Sequence, residues 1–345
     1  MPLSADRAPV RIGVAGLGRA GTYHLERLGL REDCRVVAAY DDCATALARA
    51  DAVARRLHST WSDFLADGHV ELVLLAAPPA LHAELAIGAL AAGKHVVIET
   101  PLCLNLAEAD AIAAAARRTG GLACVAQTRR WSDDFRTAQA ALASGELGEP
   151  RSLKYVNWQY NPQLRPPAEG AALLNGGPGT AVPDWRRHSS TGGGLLWEFG
   201  VHYFDQLLQL AGHPAESVFA RLTPSAACDC DDGFLAIVSF SGGLTAHVEA
   251  SRVAAAPLST GWMIDGDRRS YAGFTQYSPN RDGEVVDLPL MPVPAPADEF
   301  YRNVVNHLRN GDPSPVPLDQ ARQVISLIEA VRRSAQTGQV ASVEP

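Results

Sequence analysis

The feature that most constrains this chain is the regular alternation of short apolar runs and helical segments over residues 11–126. Val10 to Ala15 is an apolar run that ends in glycines, and Ala20 to Leu30 has helical spacing. Arg35 to Tyr40 is a second apolar run, and Ala44 to Leu57 reads as an alanine-rich helix. Val70 to Ala77 reads as a third strand, Ala80 to Ala92 as a helix and His95 to Glu99 as a fourth strand. Leu106 to Arg118 reads as a helix and Leu122 to Gln127 as a short strand. Apolar strands separated by helices predict an α/β domain whose parallel sheet is covered on both faces.

The first strand runs into Gly16, Gly18 and Gly21, a G-x-G-x-x-G that opens a helix, and Asp41 ends the next strand 20 residues after Gly21. Strand, glycine turn, helix and acid in this order are the parts of a dinucleotide-binding fingerprint. Gly16 permits the tight turn, Gly18 lets backbone approach a pyrophosphate, and Gly21 lets the helix pack closely on the strand. Leu17, Arg19 and Ala20 fill the loop between them, where backbone N–H groups at the helix start attract phosphate. Asp41 suits the ribose hydroxyls of the adenosine half. With Asp42 beside it, it disfavours a 2′-phosphate, so the cofactor expected is NAD rather than NADP. Arg19 is the counter-argument, because an arginine near the ribose accepts such a phosphate.

The pattern changes after about residue 127. A helix is expected over 134–144 and a strand over Ser152–Tyr160, followed by a Gly/Pro-rich stretch over 161–194. Phe234–Phe240 and Leu244–Ala250 read as strands of an antiparallel sheet, and helices are expected at 297–309 and 318–336. The division expected is 1–126 for the dinucleotide domain and 127–345 for a substrate-binding and oligomerisation domain.

Composition narrows the function. A net charge of -8 argues against nucleic acid as partner, because phosphate binding needs a basic face. No apolar leader and no membrane-length apolar run is present in the sequence, so a cytoplasmic protein without a membrane partner is expected. The six cysteines contain no C-x-x-C pair, so free thiols and no metal are expected. Lys94 and Lys154 are the only lysines, which leaves few ammonium groups for chemistry.

GGGLLWEFGVHYFDQLLQL, residues 192–210, reads as a helix over Leu195–Leu210 with Glu198, His202, Asp205 and Gln209 in one polar stripe. A carboxylate one turn before a histidine orients the ring and raises its basicity. A solvated helix surface accounts for the same stripe.

Taken together, these segments resemble the glucose–fructose oxidoreductase / inositol 2-dehydrogenase / MocA family of NAD(P)-dependent oxidoreductases. VRIGVAGLGRAGTYHLERL resembles its opening, and VELVLLAAPPALHAELAIGALAAGKHVVIETP its run ending in Glu-Lys-Pro. RRWSDDFRTAQAALASGELGEPRSLKYV resembles the segment joining its domains, GGGLLWEFGVHYFDQ its histidine motif and SLIEAVRRSAQTG its closing helix. The resemblance implies a Rossmann domain, then an α/β domain with an open antiparallel sheet that forms a dimer or tetramer interface. It also implies a final helix that returns to the first domain.

The resemblance implies roles as well. Ala77, Pro78 and His82 match the strand-end loop beside the cofactor, and Glu99 the glutamate near the nicotinamide ribose. Gln127 and the pair Trp185–Arg186 are further expected cofactor contacts. His202 matches the general base on a substrate hydroxyl, and Asp205 the acid after it. For His82 and Asp205 a structural role serves equally well. Trp158 and Tyr160, with Asn161, Gln163 and Arg165, suit a hydroxylated ligand or a solvated loop.

Two positions depart from the family: Thr100 stands for the lysine of Glu-Lys-Pro, and Glu198 for an aspartate. The leading expectation is an NAD-dependent dehydrogenase of a sugar, polyol or related small molecule. His202, Glu198 and Thr100 carry the chemistry in that reading. The alternatives are a redox-neutral glycoside-cleaving or epimerising enzyme that recycles NAD, and a regulatory protein that binds NAD without turnover.

Overall fold

The computed structural model describes residues 8–160 and 184–345 apart from Ala227, Ala295 and Ala297. Contacts group the chain into two units, one of residues 1–127 with 297–322 and one of residues 128–296 with 323–345. Asn161, Gln163 and Arg165 lie outside the described residues.

The first unit alternates β1 (Val10–Ala15), α1 (Arg19–Gly29), β2 (Cys34–Tyr40), α2 (Ala44–Ala50), β3 (Arg56–His58), α3 (Trp61–Ala66), β4 (Leu72–Leu75), α4 (His82–Ala91), β5 (His95–Ile98), α5 (Leu106–Thr119) and β6 (Ala123–Val125). Six parallel strands lie in the order β3-β2-β1-β4-β5-β6. Their side chains are apolar on both faces: Leu72, Leu74 and Leu75 are each 2% exposed or less, and burying such a side chain stabilises by about 2 kcal/mol. Strand order reverses between β1 and β4, which opens a crevice outside their carboxyl ends. Local signals fix the helix ends: the Asn105 side chain accepts from Glu108 N at 2.9 Å to start α5, and Gly120 in the left-handed region ends it.

The helix expected over 44–57 stops at Ala50. Residues 56–58 are instead an edge strand, with Ala38, Ala39 and Tyr40 opposite Arg56, Leu57 and His58. Alanine's helix preference is local and weak, and backbone pairing at the sheet edge outweighs it. α8 (Glu299–Asn310) also belongs to this unit, with Phe300, Tyr301, Val304 and Val305 buried. Its Arg309 Nη2 lies 3.1 Å from Glu71 Oε1.

The second unit contains α6 (Asp133–Ala143), β7 (Pro150–Tyr160), α7 (Val201–Ala211), β8 (Ala215–Pro224), β9 (Asp231–Phe240), β10 (Thr245–Ser251), β11 (Val253–Gly266), β12 (Ser270–Ala272), β13 (Thr275–Pro279), β14 (Val285–Pro289), most of α9 (Leu318–Thr337) and β15 (Ala341–Ser342). Its nine strands run β14-β13-β12-β11-β7-β10-β9-β8-β15 and pair antiparallel except for β7 with β10. The buried face alternates along β7 and β10 as Leu153, Tyr155 and Asn157 opposite Ala246, Val248 and Ala250. α7 covers that face, with Tyr155 and Tyr203 ring centroids 4.5 Å apart.

The last helix, α9, is divided between the units, with residues 318–322 grouped in the first and 323–337 in the second. Arg322 Nε donates to Asp110 Oδ1 at 2.7 Å, whereas Ser334 Oγ accepts from Ala220 N on β8 at 2.9 Å. The apolar residues Ile325, Leu327, Ile328 and Val331 are buried from Gln323 onward, where the helix groups with the second unit. Four cysteines are free, but Cys228 and Cys230 are joined, which corrects the expectation of free thiols there. Their Cα atoms stand 5.5 Å apart across one residue, within the reach of a disulfide. Among the described residues, no helix is long and apolar enough to cross a membrane.

Candidate functional site

The dinucleotide residues converge at the carboxyl ends of β1, β2, β4 and β5. Gly16 has φ +87°, and a Cβ there would meet Ala76 O at 2.6 Å. A Cβ on Gly21 would lie 1.8 Å from Gly16 O, so only glycine lets α1 start this close to its strand. Gly18 differs: nothing lies within 4 Å of its Cβ position. It precedes α1, whose first turn has no side-chain cap and no acidic residue. The helix start thus presents backbone donors to open space, the arrangement that receives a pyrophosphate.

Asp41 holds this loop. Its Oδ2 accepts from Leu17 N at 2.7 Å and its Oδ1 from Cys43 N at 2.9 Å. One carboxylate therefore ties the glycine loop to the start of α2, and each such charge-assisted bond stabilises by about 1.5–3 kcal/mol. Arg19, within the glycine loop, and Asp42, next to Asp41, are both exposed.

The loops after β4 and β5 are clasped together. His82 is fully buried, with Nδ1 2.7 Å from Pro101 O and Nε2 2.9 Å from Ala77 O. Burial lowers its pKa from the ordinary imidazole value, against the raising effect of the two carbonyls. The ring bridges the Ala77–Pro78 loop to the Thr100–Pro101 corner, which makes His82 a brace rather than a cofactor contact. Glu99 and Thr100 are half-buried at that corner. Glu99 Oε1 is bonded to His24 Nε2, and Glu99 Oε2 accepts from Thr100 N at 2.9 Å. Lys94 offers no substitute for the family lysine, because its Nζ donates to the Asp67 and Val70 carbonyls at 2.8 and 3.1 Å. Gln127 is buried where this part of the first unit ends.

In the second unit, residues 196–200 form a wide π-type turn before α7. A π turn takes more residues than an α turn, so the register from Glu198 to His202 departs from plain α-helical spacing. Arg186 Nη1 binds Glu198 Oε1, and Arg252 Nη1 lies 3.2 Å from Glu198 Oε2. Both carboxylate oxygens of Glu198 thus bond guanidinium groups. Arg186 also stacks over the Trp185 ring at 4.4 Å. His202 is half-buried on α7.

Asp205 is 1% exposed and forms a bidentate pair with Arg130, at 2.8 Å from Nε and 2.6 Å from Nη2. Burial raises its pKa while Arg130 opposes the shift. It anchors α7 to the segment after β6 instead of forming a surface stripe or touching substrate. The Trp158 Nε1 donates to Glu249 Oε1 at 2.9 Å. Trp158 and Tyr160 alternate with Asn157 and therefore face away from α7. Lys154 is exposed on that same open face.

Several residues had no signal in the sequence. Asn157 is 9% exposed, its Nδ2 donates to Tyr203 Oη at 2.7 Å, and its Oδ1 has no hydrogen-bond partner among the described residues. Arg252 joins Glu198 to Asp232 Oδ1, the latter at 2.9 Å. Asp231 Oδ2 accepts from Leu196 N at 2.8 Å and so holds the start of the π-type turn.

A Rossmann unit with a glycine-loop pyrophosphate site, followed by a helix-backed open sheet carrying a histidine helix, defines a two-part nicotinamide-dependent enzyme. Comparison with known proteins gives the same class. Residues 10–127 match the model of the oxidoreductase family's NAD-binding Rossmann fold, and residues 135–272 match the GFO/IDH/MocA C-terminal domain. The chain belongs to the GFO/IDH/MocA family of oxidoreductases. It is 27% identical to an uncharacterized oxidoreductase of Escherichia coli, YdgJ, over 94% of this chain and 96% of that protein. It is 23% identical to the scyllo-inositol 2-dehydrogenase (NADP(+)) IolW of Bacillus subtilis, over 94% of each. A crystal structure of an NAD-binding protein from Listeria innocua superposes with a TM-score of 0.85 at 27% identity and covers 97% of both chains.

Proposed function

We propose that this oxidoreductase uses NAD in preference to NADP and oxidises a secondary hydroxyl of a polyol or sugar-like small molecule. The observation that carries the reading is Asp41, whose carboxylate is fixed on Leu17 N and Cys43 N beside the open start of α1. A carboxylate held there accepts ribose hydroxyls and repels a 2′-phosphate, and Asp42 adds to the repulsion. IolW is named for NADP(+), so the preference is argued from this chain's own acids and not from that relative. The substrate class draws on IolW's name and on the family resemblance.

When bound, nicotinamide supplies the hydride acceptor. His202 takes the proton of the substrate hydroxyl. The Thr100 hydroxyl orients the substrate oxygen in place of the family lysine. The names of the relatives are those of oxidoreductases, and they favour neither a redox-neutral cycle nor a role without turnover. Fluorescence titration of the reduced cofactors tests the central preference. Wild type is expected to bind NADH at least about tenfold more tightly than NADPH, and Asp41→Ala to erase the difference. Equal affinity in the wild type contradicts the reading.

A further inference from the structure

The buried side of α1 carries a chain of polar groups that a pyrophosphate site does not require. His24 is 1% exposed. Its Nδ1 lies 2.6 Å from Tyr301 Oη, and its Nε2 is bonded to Glu99 Oε1. Glu99 Oε2 accepts from Thr100 N at 2.9 Å and faces Thr100 Oγ1 at 3.5 Å. Four residues from α1, the end of β5 and α8 are thus linked in one line, and Tyr301 of α8 joins it from 277 residues beyond His24 in sequence.

The donors and acceptors can be ordered from their chemistry. An ionised carboxylate only accepts, so His24 Nε2 donates to Glu99. A neutral ring then has a lone pair at Nδ1, and the Tyr301 hydroxyl donates to it. Burial pushes the Tyr301 phenol well above its ordinary value, so the hydroxyl keeps its proton. The other ionisable groups around this line are Tyr23, whose ring meets His24 edge-on at 5.7 Å, Arg27 with Asp298 at 3.7 Å, and Arg31 over the Tyr301 ring at 6.0 Å.

We propose that Tyr301 and His24 are positioning residues for the Glu99–Thr100 corner. Tyr301 fixes the tautomer of His24, and His24 holds one oxygen of Glu99 so that the other faces Thr100. This rests on the reading of Glu99 and Thr100 as the nicotinamide end of the site, and it deepens that reading. Where the family uses a charged lysine, this chain aligns an uncharged hydroxyl through a chain of three side chains. A histidine that merely fills space would leave Tyr301 and Glu99 energetically independent.

Nitrogen-15 NMR of histidine-labelled protein without cofactor reads the tautomer directly, the His24 signal being identified by its loss in His24→Gln. A neutral ring protonated at Nε2 is expected, shifting toward a tautomer mixture in Tyr301→Phe. A doubly protonated ring, a ring protonated at Nδ1, or no change in Tyr301→Phe overturns the proposal. A double-mutant cycle on NADH binding reads the coupling. Tyr301→Phe is expected to weaken binding by about fivefold when Glu99 is present, and by less than about twofold in Glu99→Gln. Equal effects in the two backgrounds overturn the proposal. Wild type that binds no NADH overturns the cofactor reading instead, and leaves the tautomer result to decide the positioning role.

Discussion

At the scale of single residues, Cys43 gives the fingerprint a chemical reporter. It is the exposed member of the free cysteines, and its N–H is bound to Asp41 Oδ1. The Thr45 hydroxyl and then the backbone N–H groups of Ala46 and Thr45 lower its thiol pKa. Alkylation of the native protein is therefore expected to label Cys43 first, and NAD to slow that labelling by occupying the ribose site next to it. Peptide mass spectrometry with and without NAD measures both; equal rates contradict the placement of the adenosine end. Asp231 gives a pH test. Burial pushes its carboxyl up to about 6 from the ordinary 3.8. The native state then holds that proton more tightly than the unfolded chain. The group's stabilising contribution is complete below about pH 4 and is lost as pH rises through 6, by about 3 kcal/mol. Denaturant titrations of wild type and Asp231→Asn should diverge by that amount between these pH values, with the variant favoured at neutral pH. Parallel curves contradict it. The tight turn at Gly16 and the close approach at Gly21 were legible in sequence because they are local to one loop, whereas the hold of Asp41 on Leu17 N and Cys43 N was not. Tyr301 and the Arg252–Glu198 pair were not legible either, because Tyr301 meets His24 across 277 residues and Arg252 meets Glu198 across 54.

At the scale of elements, the parallel alternation and the histidine helix were legible from periodicity, and the failures have identifiable causes. The edge strand β3 hides in an alanine-rich stretch, because pairing with β2 decides its state. The π-type turn at 196–200 hides in a helical pattern, and its Glu198 pairs with Arg186 and Arg252. The i, i+4 spacing alone could not report that. Asp205 shows the same limit in reverse: a polar residue in a stripe is in fact a buried anchor for Arg130. Asp205→Asn leaves that guanidinium, 10% exposed, without its counter-charge, and a loss of about 3–5 kcal/mol in unfolding free energy is expected. A loss under about 1 kcal/mol contradicts the anchoring role.

At the scale of the whole molecule, two composite units were only half legible. The break near residue 127 follows from the change of pattern, but the return of residues 297–322 to the first unit does not. That return delivers Tyr301 and Arg309 to partners in the first domain, and a helix period carries no information about which unit it will join. The open face of the nine-stranded sheet carries Trp158, Leu258 and Ile237, with Leu258 and Ile237 each 43% exposed. A second copy of the chain is expected to cover it. Light scattering should give at least a dimer mass, and Ile237→Lys with Leu258→Glu should shift it toward the monomer; a monomeric wild type contradicts this. The central claim is that the family's hydroxyl oxidation survives here on His202 and an uncharged Thr100. Its most direct test follows formation of reduced nicotinamide with NAD and a panel of inositols and sugars, in wild type and His202→Ala. The account expects turnover in the wild type and a fall of about 10²–10⁴-fold in the variant, with NADH affinity changed by less than about twofold. Unchanged turnover in His202→Ala would contradict it.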